Sequence, residues 1–132
     1  MAKQSRGLIL KAGGVRIEVE YRRRGSDAGL SFDVYGGDED TAPEVLRFDC
    51  FEKRPHFHYI GPSKNRLVRI DKKTTPDPVK WTLRQLKKEL SSMVWKAGHR
   101  KLAEAIDQAA VARAVVKAEK EILGCLGALS SK

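Results

Sequence analysis

Two histidines one residue apart, His56 and His58, follow Arg47 and Asp49 across the stretch Glu52-Lys53-Arg54-Pro55. On an extended chain, side chains two residues apart share a face. His56 and His58 therefore point to one side of their strand, and Arg47 and Asp49 to one side of the strand before it. If residues 52–55 close a four-residue hairpin, Phe51 faces His56, Asp49 faces His58 and Arg47 faces Ile60. Three chemistries fit such a cluster. The imidazoles can exchange protons while Asp49 orients one of them and Arg47 stabilises developing phosphate charge, as metal-independent RNA cleavage by a ribose 2′-hydroxyl requires. The two histidines and a carboxylate can hold a metal ion, although the spacing fixes no third ligand. The same alternation is equally the pattern of a solvated sheet face. The expectation adopted is a catalytic set of Arg47, Asp49, His56 and His58, with no metal and no cofactor.

The strands that would carry these residues are legible as period-two alternation. Val15, Ile17, Val19 and Tyr21 oppose Arg16, Glu18, Glu20 and Arg22. Leu30, Phe32 and Val34 oppose Ser31, Asp33 and Tyr35, and Leu46, Phe48 and Cys50 oppose Arg47, Asp49 and Phe51. Phe57-His58-Tyr59-Ile60 and Leu67-Val68-Arg69-Ile70 complete an antiparallel meander of about five strands over residues 7–70, with room for a short first strand at residues 8–10. One face is apolar, with Phe57 and Tyr59 expected on it. The other collects Glu18, Glu20, Asp33, Tyr35 and Arg47 beside the histidines.

At Asp77-Pro78 the period changes. Asp77 suits an N-cap and Pro78 the first helical position, where no amide donor is needed. Val79, Leu83, Leu86, Leu90, Met93 and Ala97 form one apolar stripe of about five turns, and Gly98 suits the residue just past the helix end. A further helix starts near His99, read as a helix-start residue, with Leu102 and Ile106 in register. Val111, Val115, Ala118, Ile122 and Leu129 then lie on nearly the opposite face. Either the helix breaks near Gln108 and bends back to the core, or residues 111–129 bury that face against a second copy as a homodimer. The expected fold class is α+β. It is one domain over 1–132, strand-rich in 1–73 and helical in 77–129, with two or three C-terminal helices and the first packing on one sheet face.

The 132-residue chain carries a net charge of +9, and its distribution is uneven. Residues 62–101 hold 12 Lys/Arg against 3 Asp/Glu, while both flanks are balanced. Lys64, Arg66, Arg69, Lys72, Lys73, Lys80, Arg84, Lys87, Lys88, Arg100 and Lys101 form the expected polyanion-binding set. RNA, another nucleic acid or an acidic protein is the partner class. Trp81 and Trp95 flank this helix, and both are expected in the core. If the helix covers the apolar face, the basic surface and the histidine cluster lie on opposite sides. No run approaches the ~18–20 apolar residues that cross a bilayer, and the apolar run Leu8-Ile9-Leu10 is too short for a signal peptide. Cys50 and Cys125 lack paired spacing and read as small apolar side chains in a reducing cytoplasm.

The segment Leu46-Arg47-Phe48-Asp49-Cys50-Phe51-Glu52-Lys53-Arg54-Pro55-His56-Phe57-His58 resembles the TumE-like bacterial toxin family, in which an Arg-aromatic-Asp strand leads into a Pro-His-rich hairpin. Arg47, Asp49, Pro55 and His56 match position by position. The Asp-Asn-Ala-Pro-His-His run of that family is absent here, and the long helical C-terminus differs. The resemblance implies the toxin of a toxin–antitoxin pair acting on RNA. The functional expectation is thus a small basic protein that binds RNA or another polyanion through residues 64–101, with a toxin-like, metal-independent endoribonuclease site. The alternative is a non-catalytic interaction module, dimeric through its C-terminal helix, that docks an acidic protein.

Overall fold

The computed structural model describes residues 7–130, with side chains described through residue 124. Six strands come first: β1 (Leu8–Ala12), β2 (Val15–Arg24), β3 (Asp27–Tyr35), β4 (Glu44–Phe51), β5 (His56–Ile60) and β6 (Asn65–Arg69). They pair in sequence order as one antiparallel sheet. The short first strand is therefore real. It is closed onto β2 by Gly13-Gly14, both at positive φ (60° and 90°), the backbone a two-residue hairpin needs and glycine supplies without a Cβ clash.

The apolar face forms the core as expected. Val15, Ile17, Val19, Leu30, Phe32, Val34, Leu46, Phe48 and Phe57 are buried, and Tyr59 packs against them partly buried. Four helices follow: α1 (Pro78–Lys88), α2 (Leu90–Lys96), α3 (Arg100–Ala105) and α4 (Gln108–Ser130). Helices α1 and α2 pack near β4, and α4 against β1, β2 and α1. Asp77 caps α1 by accepting from the Lys80 amide at 3.1 Å, with Pro78 just inside. Gly98 ends α2 at φ 103°. None of the described helices is long and apolar enough to cross a membrane.

The five-turn helix expected over residues 79–97 is broken at Glu89 (φ −122°, ψ 6°). The cause lies far along the chain. The Gln108 amide donates to the carbonyls of Leu86 and Lys87, at 3.0 Å each, and its oxygen accepts from the Ser91 amide at 2.9 Å. One side chain thus satisfies backbone groups that a helix break would orphan. The stripe stays buried on both sides of the break, through Leu83, Leu86, Leu90 and Met93.

The shifted C-terminal stripe is settled by a second break. Ile106 is extended (φ −72°, ψ 128°), the Asp107 amide donates to Gly13 O at 3.1 Å, and Asp107 caps α4 through the Ala110 amide. The redirected α4 buries Val111, Val115, Ala118 and Ile122 in the domain's own core. Those four residues therefore follow the alternative in which the chain breaks and bends back to the core. Leu129, Cys125 and residues 1–6 lie outside the described side chains.

The tryptophans divide. Trp81 packs on Phe57 and Phe48, with ring centroids 5.5 and 6.2 Å away. Trp95, expected in the core, is instead 50% exposed near the end of α2. The Arg100 guanidinium lies over its ring at 5.4 Å.

Candidate functional site

The face of the sheet away from the helices brings Asp49, His56 and His58 together, in a register two residues from the one expected. Asp49 pairs with His56 and Arg47 with His58. A two-residue offset keeps every side chain on its face, so the cluster survives it. The β4–β5 ladder stops at Asp49–His56, so that Cys50 and Phe51 pair only with β3 and the connection to β5 is two residues longer than the expected loop. Asp27 then tethers the loop, its carboxylate accepting from the amides of Lys53 (2.8 Å), Arg54 (2.9 Å) and Ala28 (3.0 Å). Burial pushes the Asp27 carboxyl up, but those three amides outweigh it and hold it below its ordinary value. Pro55 has no amide to give the ladder, and its carbonyl accepts from Ile70 at 3.0 Å.

At the centre, Asp49 Oδ2 lies 3.0 Å from His56 Nε2 and 3.7 Å from His58 Nε2. Its Oδ1 accepts from Ser31 Oγ at 2.9 Å. Each imidazole is anchored on its far side: His56 Nδ1 donates to the Arg54 carbonyl (2.8 Å) and His58 Nδ1 to Asn65 Oδ1 (2.9 Å). The rings stand nearly perpendicular with centroids 5.1 Å apart. Asp49 is 5% exposed, whereas the His56 and His58 side chains keep 18% and 15%, so a carboxylate floor is reached from solvent past two imidazoles.

The electrostatics distinguish the two histidines. His56 has an oxygen acceptor at each nitrogen, which favours the doubly protonated ring. Its pKa is raised, chiefly by the bond to Asp49, against burial and the nearby Arg69 charge. Burial pushes Asp49 up, but its bonds to His56 and Ser31, with the charges of His56 and Arg47, hold it below the ordinary carboxylate value. His58 differs, since 3.7 Å is beyond hydrogen-bond reach. With Nδ1–H committed to Asn65, its Nε2 lone pair is open.

Arg47 does not take the part expected of it. Its guanidinium donates twice to Glu44, at 3.1 and 3.0 Å, and sits 3.6 Å from Asp33. Asp33 is also paired with Arg22 at 2.7 Å, yet burial raises its pKa on balance. The cation beside the imidazoles is Arg69, directly across the ladder from His56, exposed and without an ion pair among the described residues. Nor is there a thiol nucleophile in Cys50, whose pKa burial pushes up to about 12.

The expected basic segment is split between two sides. Lys80, Arg84 and Lys88 are exposed on α1, Lys101 on α3 and Lys64 in the β5–β6 turn. Lys87 is engaged with Glu119 of α4 at 3.0 Å, Arg66 lies over the Tyr59 ring, and Arg100 over Trp95. Arg69, Lys72 and Lys73, however, join Lys53 and Arg54 around a groove at the end of β5 and β6, with Asp71 as the acidic member. Lys72 Nζ donates to Glu52 O at 2.6 Å. Part of the positive charge thus borders the histidine cluster rather than facing away from it. The sequence reading missed Ser31 and Asn65, which orient Asp49 and His58. The strand pairing brings both to the cluster. The turn Gly61-Pro62-Ser63-Lys64 was the available signal for Asn65, because it fixes Asn65 opposite Ile60.

No curated protein and no solved structure matches this chain at significant similarity. A family model does match, over residues 9–122, which takes in all six strands but the first residue of β1 and continues into α4. The chain belongs to the family described as a domain of unknown function, DUF7700.

Proposed function

We propose that this protein binds single-stranded RNA at the groove lined by Arg69, Lys53, Arg54, Lys72 and Lys73 and cleaves it at the adjoining Asp49–His56–His58 cluster. The observation that carries the reading is one buried carboxylate facing two anchored imidazoles in unlike hydrogen-bonding states, at the border of a cationic groove. One imidazole bonded at both nitrogens beside one with an unbonded Nε2 can offer an acid and a base to the same substrate. His58 Nε2 takes the 2′-hydroxyl proton as O2′ bonds to phosphorus. The P–O5′ bond then breaks, and the leaving O5′ takes the Nε2 proton of His56 as that proton gives up its bond to Asp49 Oδ2. The products are a 2′,3′-cyclic phosphate end and a 5′-hydroxyl end. Asp49 orients His56 and offsets its charge, while Arg69 lies where it can neutralise the phosphate. Arg47 acts at one remove, holding Asp33 and Glu44. The toxin-like character of such a ribonuclease rests on the resemblance of residues 46–58 alone.

The test uses a labelled single-stranded RNA and the metal-stripped protein with a chelator present. Cleavage is expected in the chelator, with a loss of about 10²-fold or more in His58→Ala and binding that weakens steeply with salt. Intact RNA, or equal cleavage by His58→Ala, refutes the site. A second reading is a non-catalytic module docking an acidic protein. It is favoured by the exposed Lys80, Arg84 and Lys88 of α1, which lie in the helix layer away from the histidines. RNA binding indifferent to Arg69→Ala but lost in Lys80→Glu/Arg84→Glu would support that surface instead.

A further inference from the structure

We propose that Asp49, His56 and His58 form a binding site for one divalent transition-metal ion of the zinc type, held by Asp49 Oδ2 and the Nε2 atoms of both histidines. Geometry is the first argument. Zinc takes imidazole nitrogen and carboxylate oxygen at about 2.1 Å, so tetrahedral neighbours stand about 3.4 Å apart. The separations of 3.0 and 3.7 Å from Oδ2 to the two nitrogens bracket that value, and with all three donors within 4.8 Å of one another the imidazoles have only to close inward to share one ion.

The surrounding hydrogen bonds are the second argument. A histidine that binds metal through one nitrogen gives its other N–H to an oxygen acceptor, which fixes the tautomer and turns the lone pair to the ion. Both histidines do this, His56 to the Arg54 carbonyl and His58 to Asn65. Ser31 holds Oδ1 of Asp49, leaving Oδ2 to face the nitrogens. Every ligand therefore has an outer partner that aims it at one point.

Charge is the third argument. Two imidazole lone pairs directed at one carboxylate oxygen repel it unless a cation stands between them. A single proton on His56 relieves one of those contacts, whereas a divalent ion relieves both. Of the nearby cations, Arg47 is compensated by Glu44 and Asp33, and Arg69, across the ladder from His56, is exposed, so that solvent and salt screen its charge. Three protein donors at a partly open face leave coordination positions for water or a ligand.

Metal binding needs no RNA reading, but its consequence rests on that reading. An ion on His58 Nε2 occupies the lone pair proposed to take the 2′-hydroxyl proton, so the loaded protein is expected to be inactive.

The experiment titrates zinc sulfate into the metal-stripped full chain by calorimetry, then repeats the RNA assay with zinc and with chelator. One equivalent is expected in the wild type. Affinity should fall at least tenfold in His56→Ala, in His58→Ala and in Asp49→Asn. Asn65→Ala, at an exposed position where misfolding is not at issue, should lose about 10- to 100-fold through the freed imidazole. No saturable zinc binding, or binding that none of these variants weakens, overturns the site. Suppression of cleavage by zinc, reversed by chelator, supports the consequence, and cleavage that requires zinc overturns it. RNA left intact with and without zinc refutes the ribonuclease reading alone, because the calorimetry decides the metal site separately.

Discussion

Asp49 and His56 should be energetically coupled, and a double-mutant cycle measures by how much. The variants are Asp49→Ala, His56→Ala and the pair. Asp49→Ala removes a charge-assisted bond from His56, of about 1.5–3 kcal/mol, and a bond from Ser31, of about 0.5–1.5 kcal/mol. Ser31 is not orphaned, because Asp33 Oδ1 remains 3.3 Å from its hydroxyl. Against these losses stands the relief of no longer burying a carboxylate that is 5% exposed, so the net cost is about 1–3 kcal/mol. His56→Ala keeps the buried carboxylate and removes its principal partner, with His58 3.7 Å away to compensate in part. Its cost should be about 2–3 kcal/mol, below the ~3–5 kcal/mol of a fully buried broken pair. Once Asp49 is gone, deleting His56 costs little more, so the double variant should fall short of the summed singles by about 1.5–2 kcal/mol. Urea unfolding followed by circular dichroism, at about pH 6 with chelator present, gives the four stabilities, and equal m-values check that the transitions are comparable. Additivity within about 0.5 kcal/mol would falsify the pairing of these side chains, and with it the electrostatic account of the site.

Three further outcomes follow from the packing. Gly29→Ala should destabilise by about 1–3 kcal/mol, since a Cβ there presses on the Cys50 carbonyl and comes within 2.9 Å of Phe51 Cα; urea unfolding unchanged from the wild type would contradict the β3–β4 register. Asp27→Ala should cost about 1–2 kcal/mol through the loop amides it holds. Because the folded pKa of Asp27 is lowered, its stabilisation is present above about pH 4 and lost as pH falls through the folded value. The variant and wild-type stability curves should therefore converge in acid, and a gap that widens there would reverse the sign of the argument. Ile122→Ala, at 1% exposure, should cost about 2–5 kcal/mol, whereas Trp95→Ala should stay within about 0.5 kcal/mol. An Ile122→Ala loss below about 1 kcal/mol, together with a fall from dimer to monomer on sedimentation, would put that stripe between two copies instead.

The sequence by itself determined which residues share a face and where strands give way to helices. Both are local properties: alternation keeps Asp49, His56 and His58 on one face under any register shift of an even number of residues, and Asp77-Pro78 starts a helix through its own capping chemistry. A periodic apolar stripe also foretold burial for Leu83, Leu86 and Leu90, which the structure shows. The tertiary structure decided what depends on residues distant in the chain. Asp27, in another strand, holds the loop that sets Asp49 opposite His56. Gln108 stabilises a helix break some twenty residues earlier, where the local pattern predicts continuity. Arg69 stands beside the imidazoles while Arg47 is drawn off by Glu44, because ladder register and competing partners, not residue type, decide which cation is free. Alternation is dictated by backbone geometry residue by residue. Register, helix breaks and ion-pair partners are settled only when separate segments compete for the same donors, acceptors and charges.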